Sequence, residues 1–273
     1  MSHLPRKDMA RTAGWSDLVG EFDQWGEGGR VATLWWRDDD AVTANWRLDR
    51  LVSIAGDVPI SLAVIPAATD PGLAALIAHL SRSLQATRIS VLQHGWCHTS
   101  RAVDGKKSEF PSERSCDAVR SDLTAGRARL TAFFGTCALP VLVPPWNRFA
   151  SCFLPLLPAC GLGAISRVKP RRTPWPASGI AEVNIHIDLV AWAERRGFIG
   201  EEAALGGLVG HLRARRLAEV DSREPTGILT HHLVQDEATD AFLRRLVAIT
   251  KGHPATRWLD AAEVFADALC PGR

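Results

Sequence analysis

Seven short apolar runs, separated by longer amphipathic stretches, constrain this chain more than any other feature of its sequence. The runs fall at 31–36, 60–65, 89–92, 141–143, 163–165, 183–187 and 228–230. They lack the strict alternation of a strand with one wet face, and this is typical of strands that are buried on both faces. Helical patterns lie between them, at 45–55, 73–84, 117–134, 201–217 and 238–249. Strand then helix, repeated about seven times, predicts an α/β fold with a parallel sheet that is closed or doubly wound.

The chain reads as one domain. Its 273 residues, 46% of them hydrophobic, can bury a substantial core, and no low-complexity linker or fixed-period repeat interrupts the rhythm. Two irregular polar loops, 103–114 and 170–179, are long enough to surround a site.

Polar residues follow the apolar runs, at the points where the predicted strands end. They are the aspartates 38–40, the histidines 94 and 98, the segment 146–148, Asp188, and the histidines 231 and 232. In a parallel β/α barrel the carboxyl ends of all strands open on one face, where active sites lie. We therefore expect these distant segments to converge.

Two of these groups complement each other chemically. Taken alone, the aspartate run is typical of a helix N-cap, and the spacing of His94 and His98 occurs by chance in a chain with nine histidines. Together they indicate a metal site, because a divalent cation held by two imidazoles needs an anionic third ligand and keeps one position open for water. The cation in turn stabilises clustered carboxylates.

Hydrolysis at such a site needs a base for the water, donors for the oxyanion and an acid for the leaving group. A second aspartate beside the ligand can serve as the base. The last run supplies His231 and His232 as acid candidates, which point to opposite faces because side chains alternate along a strand.

Four short segments, WRDDDA, HGWCH, VPPWN and LTHH, resemble in their order the motifs of the polysaccharide deacetylases, the NodB-homology group of carbohydrate esterases. The resemblance runs from about residue 31 to residue 233. It implies a distorted (β/α) barrel of about seven parallel strands with helices outside. The whole chain, 1–273, would form this single domain, with a flexible N-terminal segment at 1–13.

The resemblance also implies a metal centre. Its alignment makes Asp38 the general base and Asp39 the metal ligand, with His94 and His98 completing the ligand set. The cofactor is then a divalent metal, with Zn²⁺ expected. Because Asp40 stands where the family has glycine, the ligand could instead be Asp40, and the register stays open.

The remaining catalytic groups follow from the same alignment. It places the backbone N–H of Trp146 in the oxyanion hole and makes His231 the general acid. Val143 occupies the position of the family's arginine, which orients the base, and Arg148 or Arg37 could substitute for it.

The substrate contacts are expected from the fourth motif, seen loosely in HIDLVAW, and from the loop 106–114. The residues predicted to contact the substrate are Asp40, Pro145, Asn147, Arg148, Lys107, Glu109, Asp188, Trp192 and His232.

The function implied is a metal-dependent hydrolase that removes an acetyl or similar acyl group from an N-acylated amino sugar or related linear amide. A deacetylase-like protein that binds carbohydrate without turnover is the alternative. A metallophosphoesterase fits least, because it needs two metals and more ligands.

Charge and hydropathy bound the partners. The net charge of +2 gives no basis for nucleic-acid binding, and the basic cluster at 169–172 is expected to be a solvated loop. No apolar run has the length of a secretory signal or a membrane span, so a cytoplasmic location and a small-molecule or oligosaccharide substrate are expected.

Overall fold

A computed structural model describes residues 13–81, 88–193 and 196–269 of the protein. Within these ranges the sheet contains nine strands, and every pairing between them is parallel. The strands are β1 (Ala32–Ala41), β2 (Ile60–Val64), β3 (Ile89–His94), β4 (Ala138–Val143), β5 (Ala164–Ile165), β6 (Ala181–Glu182), β7 (Ile187–Asp188), β8 (Thr226–Thr230) and β9 (Thr256–Trp258).

The strands form a curled sheet in the order β6-β5-β4-β3-β2-β1-β8-β7, and β9 pairs with the start of β1. This is a distorted half-barrel with helices outside, and it confirms the predicted α/β barrel class. The helices are α1 (Trp15–Glu27), α2 (Trp46–Ala55), α3 (Pro71–Leu80), α4 (Cys116–Phe134), α5 (Glu201–Arg216), α6 (Glu237–Gly252), α7 (Ala261–Val264) and α8 (Ala266–Leu269).

Strand β1 explains how the core is divided. Leu34 and Trp36 point outward and pack in the main cluster between sheet and helices, whereas Trp35 points inward and packs with residues on the inner face of the curled sheet. Because alternate residues of a strand face opposite sides, Arg37 and Asp39 share the inner face with Trp35.

One irregularity of β1 determines the geometry of the site. Asp38 pairs with Leu62 and Ala41 with Val64, so three steps along β1 oppose two steps along β2. The extra residue is a β-bulge, and Asp40 within it has a left-handed backbone with φ 69°. Beyond the bulge, side chains no longer follow the alternation set by the strand.

The predicted elements differ from the observed ones mainly at their ends. Strand β1 extends past the predicted 31–36 and contains all three aspartates, while α1, α7, α8, β6 and β9 were not predicted. The expected flexible segment 1–13 lies, except for Ala13, outside the described residues, as does the end of the helix predicted at 73–84. Among the described residues, no helix is both long and apolar enough to cross a membrane.

Candidate metal centre and catalytic cavity

A cavity of about 870 Å³ opens where β1, β3, β4, β7 and β8 end. Its volume lies within the roughly 300–1,000 Å³ usual for small-molecule sites. The predicted site residues that line it are Asp39, Asp40, His94, His98, Lys107, Trp146, Asn147, Arg148, Asp188, Trp192 and His231. The structure thus brings together residues that are up to about 190 positions apart in the chain.

Two histidines and one carboxylate meet at the floor of this cavity. The Oδ1 atom of Asp40 lies 3.1 Å from Nε2 of His94 and 3.2 Å from Nε2 of His98. Asp40, and not the predicted ligand Asp39, is therefore the carboxylate beside the histidine pair. Of the alternatives left open by the sequence, the geometry favours Asp40.

The hydrogen bonding of His94 suits a metal ligand. Its Nδ1 lies 2.9 Å from the carbonyl oxygen of Val143, which can only accept, so Nδ1 carries the proton and Nε2 keeps its lone pair. Such a bond to a backbone carbonyl is the usual outer support of a metal-bound imidazole. The Nε2 lone pair faces a carboxylate oxygen, an arrangement that needs a cation or a proton between the two atoms.

The electrostatics of the cluster point the same way. Burial by itself raises the pKa of Asp40, but the His94 hydrogen bond and the charges of His94, His98 and His231 hold it well below its usual range. Burial opposes the charged form of His94, yet the bond to Asp40 leaves its pKa raised. Burial, then the neighbouring His94, lowers the pKa of His98. The residues present fit a divalent metal.

The turn that carries the two histidines depends on Gly95. This residue has φ 59°, and a Cβ there would lie 2.1 Å from Oε2 of Glu109 and 2.6 Å from Cδ of Pro145. Glu109 is fully buried and accepts hydrogen bonds from the backbone N–H groups of Trp96 and Cys97. Glu109 therefore stabilises the turn through these bonds. It does not line the cavity, although it was predicted to contact the substrate. Pro145, also predicted to contact the substrate, is buried and is not among the residues that line the cavity.

Asp39 is held by Arg37 in a buried bidentate ion pair. Nε of Arg37 lies 2.8 Å from Oδ1, and Nη2 lies 3.0 Å from Oδ2. The guanidinium is fully buried and is fixed by Ser166 Oγ at 2.8 Å and by Asn147 Oδ1 at 2.9 Å. Arg37, one of the two arginines considered from the sequence as a substitute at Val143, therefore binds a carboxylate of the aspartate run. No contact of Arg148 with Asp39 is found among the described residues; its Nη1 donates to the carbonyl oxygen of Lys107.

Asp38, predicted as the base, points away from the cavity. It is fully buried and accepts hydrogen bonds from Thr230 Oγ1 at 2.7 Å and from the His232 backbone at 2.9 Å. Its Oδ1 also lies 2.5 Å from His232 Nδ1, and this carboxylate raises the pKa of His232 against the effect of burial. Asp38 and His232 therefore form a core pair behind the site, where the structure differs from both predicted roles.

His231 lies on the cavity wall beside the side chain of Trp192. The indole ring of Trp192 meets it edge-on at 4.6 Å between centroids, and Trp192 Nε1 donates to Oδ2 of Asp188 at 2.8 Å. Burial raises the pKa of Asp188, and the charge of His231 offsets part of this rise. An imidazole on the wall of such a cavity is a group that can transfer a proton to a bound molecule.

Trp146 and Asn147 close another side of the cavity. Both have left-handed backbone conformations, with φ 55° and 56°. The Trp146 ring packs against His98 at 4.4 Å between centroids. Trp146, the residue predicted to form the oxyanion hole, thus lies next to the Asp40–His94–His98 group.

A second group of possible ligands lies near α5, β7 and β8. The ligand atoms of His186, His211 and Glu224 lie within 4.8 Å of one another. However, the N–H of Gly227 donates to Nδ1 of His186 at 2.9 Å, so the proton of the neutral ring sits on Nε2, the atom that faces Glu224. The charge of Arg215 adds to the misfit, and this group does not suit a metal.

No family model and no curated protein sequence matches the chain. Its fold, however, is that of the polysaccharide deacetylases and family 4 carbohydrate esterases. A protein from Mycobacterium smegmatis considered a polysaccharide deacetylase is 16% identical, with a TM-score of 0.57 over 88% of this chain and 91% of that one. A family 4 esterase from Streptococcus mutans is 14% identical, with a TM-score of 0.55 over 89% and 91% of the two chains. A family 4 acetyl xylan esterase from Clostridium thermocellum in complex with cobalt is 17% identical, with a TM-score of 0.50 over 86% and 90%.

Proposed function

We propose that the protein is a metal-dependent hydrolase that removes an acetyl or similar acyl group from an N-acylated amino sugar or a related linear amide. One observation carries the proposal: the Asp40–His94–His98 cluster shares a cavity with a clamped carboxylate, Asp39, and with His231. The deacetylase fold adds support, since it agrees with the resemblance in sequence motifs over most of the chain.

Asp40, His94 and His98 would hold the metal, which supplies polarisation of the amide carbonyl and acidification of a water molecule. We assign the general base to Asp39. Each of its oxygens accepts one hydrogen bond from Arg37 and retains a further lone pair, so the carboxylate can take the proton of the attacking water.

The other steps use groups on the opposite walls. As water adds to the carbonyl carbon, the backbone N–H of Trp146 donates to the oxygen on which negative charge develops. His231 then donates its proton to the amide nitrogen as the C–N bond breaks, and the products are a free amine and a carboxylate.

The test is metal-dependent release of acetate from N-acetylglucosamine oligomers and from an aryl acetamide. We expect chelation to abolish turnover and Zn²⁺ or Co²⁺ to restore it. Asp39→Asn should lower kcat about 100-fold or more while retaining one equivalent of metal, as expected for loss of a general base. Asp57→Asn, a change at an exposed aspartate, is the matched control.

Two results would count against the assignment. If His98→Ala still held a full equivalent of metal, the ligand set would be wrong. If the metal-loaded protein bound N-acetylglucosamine oligomers without turnover, the binding-protein alternative would replace the hydrolase. Val143 in the place of the family's arginine favours that alternative, but the Arg37–Asp39 pair supplies the missing contact and favours the hydrolase.

A further inference from the structure

Four cationic side chains surround the catalytic cavity: Lys107, Arg148, Lys169 and Arg196. Within the described part of the chain, none of the four takes part in an ion pair. The concentration is local, because the chain as a whole has a net charge of only +2. Lysine and arginine side chains that converge on a cavity without acidic partners provide an attractive field for an anion.

The acidic side chains on the same walls are already engaged. Asp39 is bound by Arg37, Asp40 by the histidine pair, and Asp188 by the Trp192 indole and the backbone N–H of Val190. No carboxylate among the described lining residues is left to neutralise the four cations. A bound divalent metal would make the cavity more positive still.

Backbone geometry singles out two of the four cations. Seven described residues other than glycine have positive φ, and six of them line this cavity, Ala218 being the exception. Lys169, with φ 76°, and Arg196, with φ 54°, are two of the six. Long side chains rarely adopt this conformation, and such strain persists mainly where the surrounding structure holds it at a functional site.

The position of Lys169 is fixed from both sides. Its own N–H donates to the carbonyl oxygen of Ile185 at 2.8 Å, next to the bridge between Val168 and Ile185. Two and three residues earlier, the carbonyl oxygens of Arg167 and Ser166 accept from Arg37, which clamps Asp39. The exposed ammonium of Lys169 therefore extends from backbone that is tied to the catalytic groups.

We propose that the acylated amino sugar acted on here carries a negatively charged group, a phosphate or a carboxylate, which binds against Lys169 and Arg196. This inference rests on the proposed function, since it assigns a substrate class to the same cavity. The guanidinium of Arg196 offers a planar, bidentate partner to either anion, while Lys169 contributes a point charge.

The experiment compares matched ligands on the zinc-loaded protein. Turnover is measured with N-acetylglucosamine, its 1-phosphate, its 6-phosphate and N-acetylmuramic acid, which separates phosphate from carboxylate recognition. Binding is measured separately, by calorimetry, with the amines glucosamine and glucosamine 6-phosphate. These ligands carry no acyl group, so they cannot be hydrolysed during the measurement. We expect kcat/KM and affinity to favour an anionic ligand about tenfold or more, as for hydrogen bonds to charged groups, and to lose that preference at high salt.

The variants are chosen to isolate charge. Lys169→Gln with Arg196→Gln should bring the anionic-to-neutral ratio to about one, whereas Lys169→Arg with Arg196→Lys should keep most of the preference. Arg120→Gln changes an exposed arginine on α4 and is the control for net charge.

The outcomes separate this inference from the proposed function. Equal turnover of anionic and neutral substrates would overturn the inference and leave the hydrolase intact. No turnover of any substrate, with tight anion binding that the double variant loses, would overturn the hydrolase and keep the anion site. No turnover together with no preference in binding would overturn both.

Discussion

Two clusters in this molecule contain the same chemical groups, two imidazoles and a carboxylate whose ligand atoms lie within 4.8 Å of one another. One is Asp40–His94–His98, at the floor of the cavity; the other, near α5, is His186–His211–Glu224. They differ in where the ring protons sit. A carbonyl oxygen holds the proton of His94 on Nδ1, whereas a backbone N–H leaves the proton of His186 on Nε2.

The surrounding charge reinforces this difference. Burial and the cations Arg215 and Arg171 lower the pKa of His186 to about 3, and burial raises that of Glu224 to about 7. The two histidines of the second cluster are thus neutral, and Glu224 is neutral below about pH 7, while the first cluster leaves a carboxylate and imidazole lone pairs facing one point. Composition and distance alone do not make a metal site; the orientation of donors and the local charge decide.

The largest contrast is expected in metal binding. His98→Ala should lose more than about 100-fold in Zn²⁺ affinity, beyond the roughly 10–100-fold that follows loss of an outer hydrogen-bond partner, and with it all turnover. His211→Gln should keep one equivalent of Zn²⁺ with unchanged affinity. Elemental analysis and competition with a chromophoric chelator measure both. Loss of metal from His211→Gln would show that the second cluster also binds metal, contrary to this prediction.

A buried arginine lies close to each cluster, Arg37 near the first and Arg215 near the second, and we expect substitutions at these two arginines to have different effects. Arg37→Met leaves Asp39 buried without its counter-charge, so we expect a loss of about 3–5 kcal/mol of stability and a marked fall in kcat. Arg215→Met removes bonds to Thr33 and Ser222 and should lower stability alone. Urea unfolding and kinetics at a temperature where both variants are folded separate the two effects. A fully active Arg37→Met protein would show that turnover does not need the Arg37–Asp39 pair.

The pH dependence of stability should report on the second cluster. Glu224 has a folded pKa of about 7 against an ordinary 4.5, so the folded state holds the extra proton between these values and stability falls as pH rises through that window. Glu224→Gln removes this fall. Its stability relative to the native protein should therefore increase with pH from about 4.5 to 7, by up to about 1.4 kcal/mol per pH unit.

The two histidines of that cluster act in the opposite direction. Burial lowers the folded pKa of His186 to about 3 and that of His211 to about 2, so their contribution is complete above pH 6.5 and is lost on acidification. Urea titrations from pH 4.5 to 7.5 measure both trends. A pH-independent difference between Glu224→Gln and the native protein would show that folding does not raise the pKa of Glu224.

The smallest effect is expected at the edge of the first cluster. Trp192→Phe keeps an aromatic ring beside His231 but removes the hydrogen bond to Asp188, which should lower kcat about fivefold, corresponding to about 1 kcal/mol. Metal content should not change. Trp175→Phe is the matched control, because both indoles are 45% exposed. Equal kinetics for the two variants would exclude a role for the Trp192–Asp188 bond.

Much of this arrangement was predictable because strand ends converge in a parallel sheet. The positions of His94, His98, Trp146 and His231 on one cavity required only the order of strands and helices and the rule that their carboxyl ends share a face. The pairing of neighbouring strands is insensitive to errors of a few residues in the element boundaries. The prediction that these residues converge therefore held although the predicted boundaries were inexact.

The division of labour within the aspartate run was not predictable in the same way. Alternation alone could have placed Asp39 on the face of Arg37, two residues earlier, and Asp38 on the opposite face with Trp36. It could not have placed Asp40, because the bulge after Asp38 breaks the alternation and nothing in three identical residues marks where an extra one is inserted. Glu109 was misassigned for a related reason, since a loop of charged residues gives no sign that one of them is buried under a neighbouring turn.

The bulge in β1 has a consequence for charge separation. Three identical anions in sequence leave the chain in three directions, and each meets its own counter-group: His232 in the core, Arg37 on the inner wall, the histidine pair at the floor. The repulsion between neighbouring carboxylates is thereby reduced, because each carboxylate is paired with a different group. Deleting one of the three aspartates would force two of the remaining side chains toward the same surroundings, so such a deletion is expected to do more harm than substitution of any one aspartate.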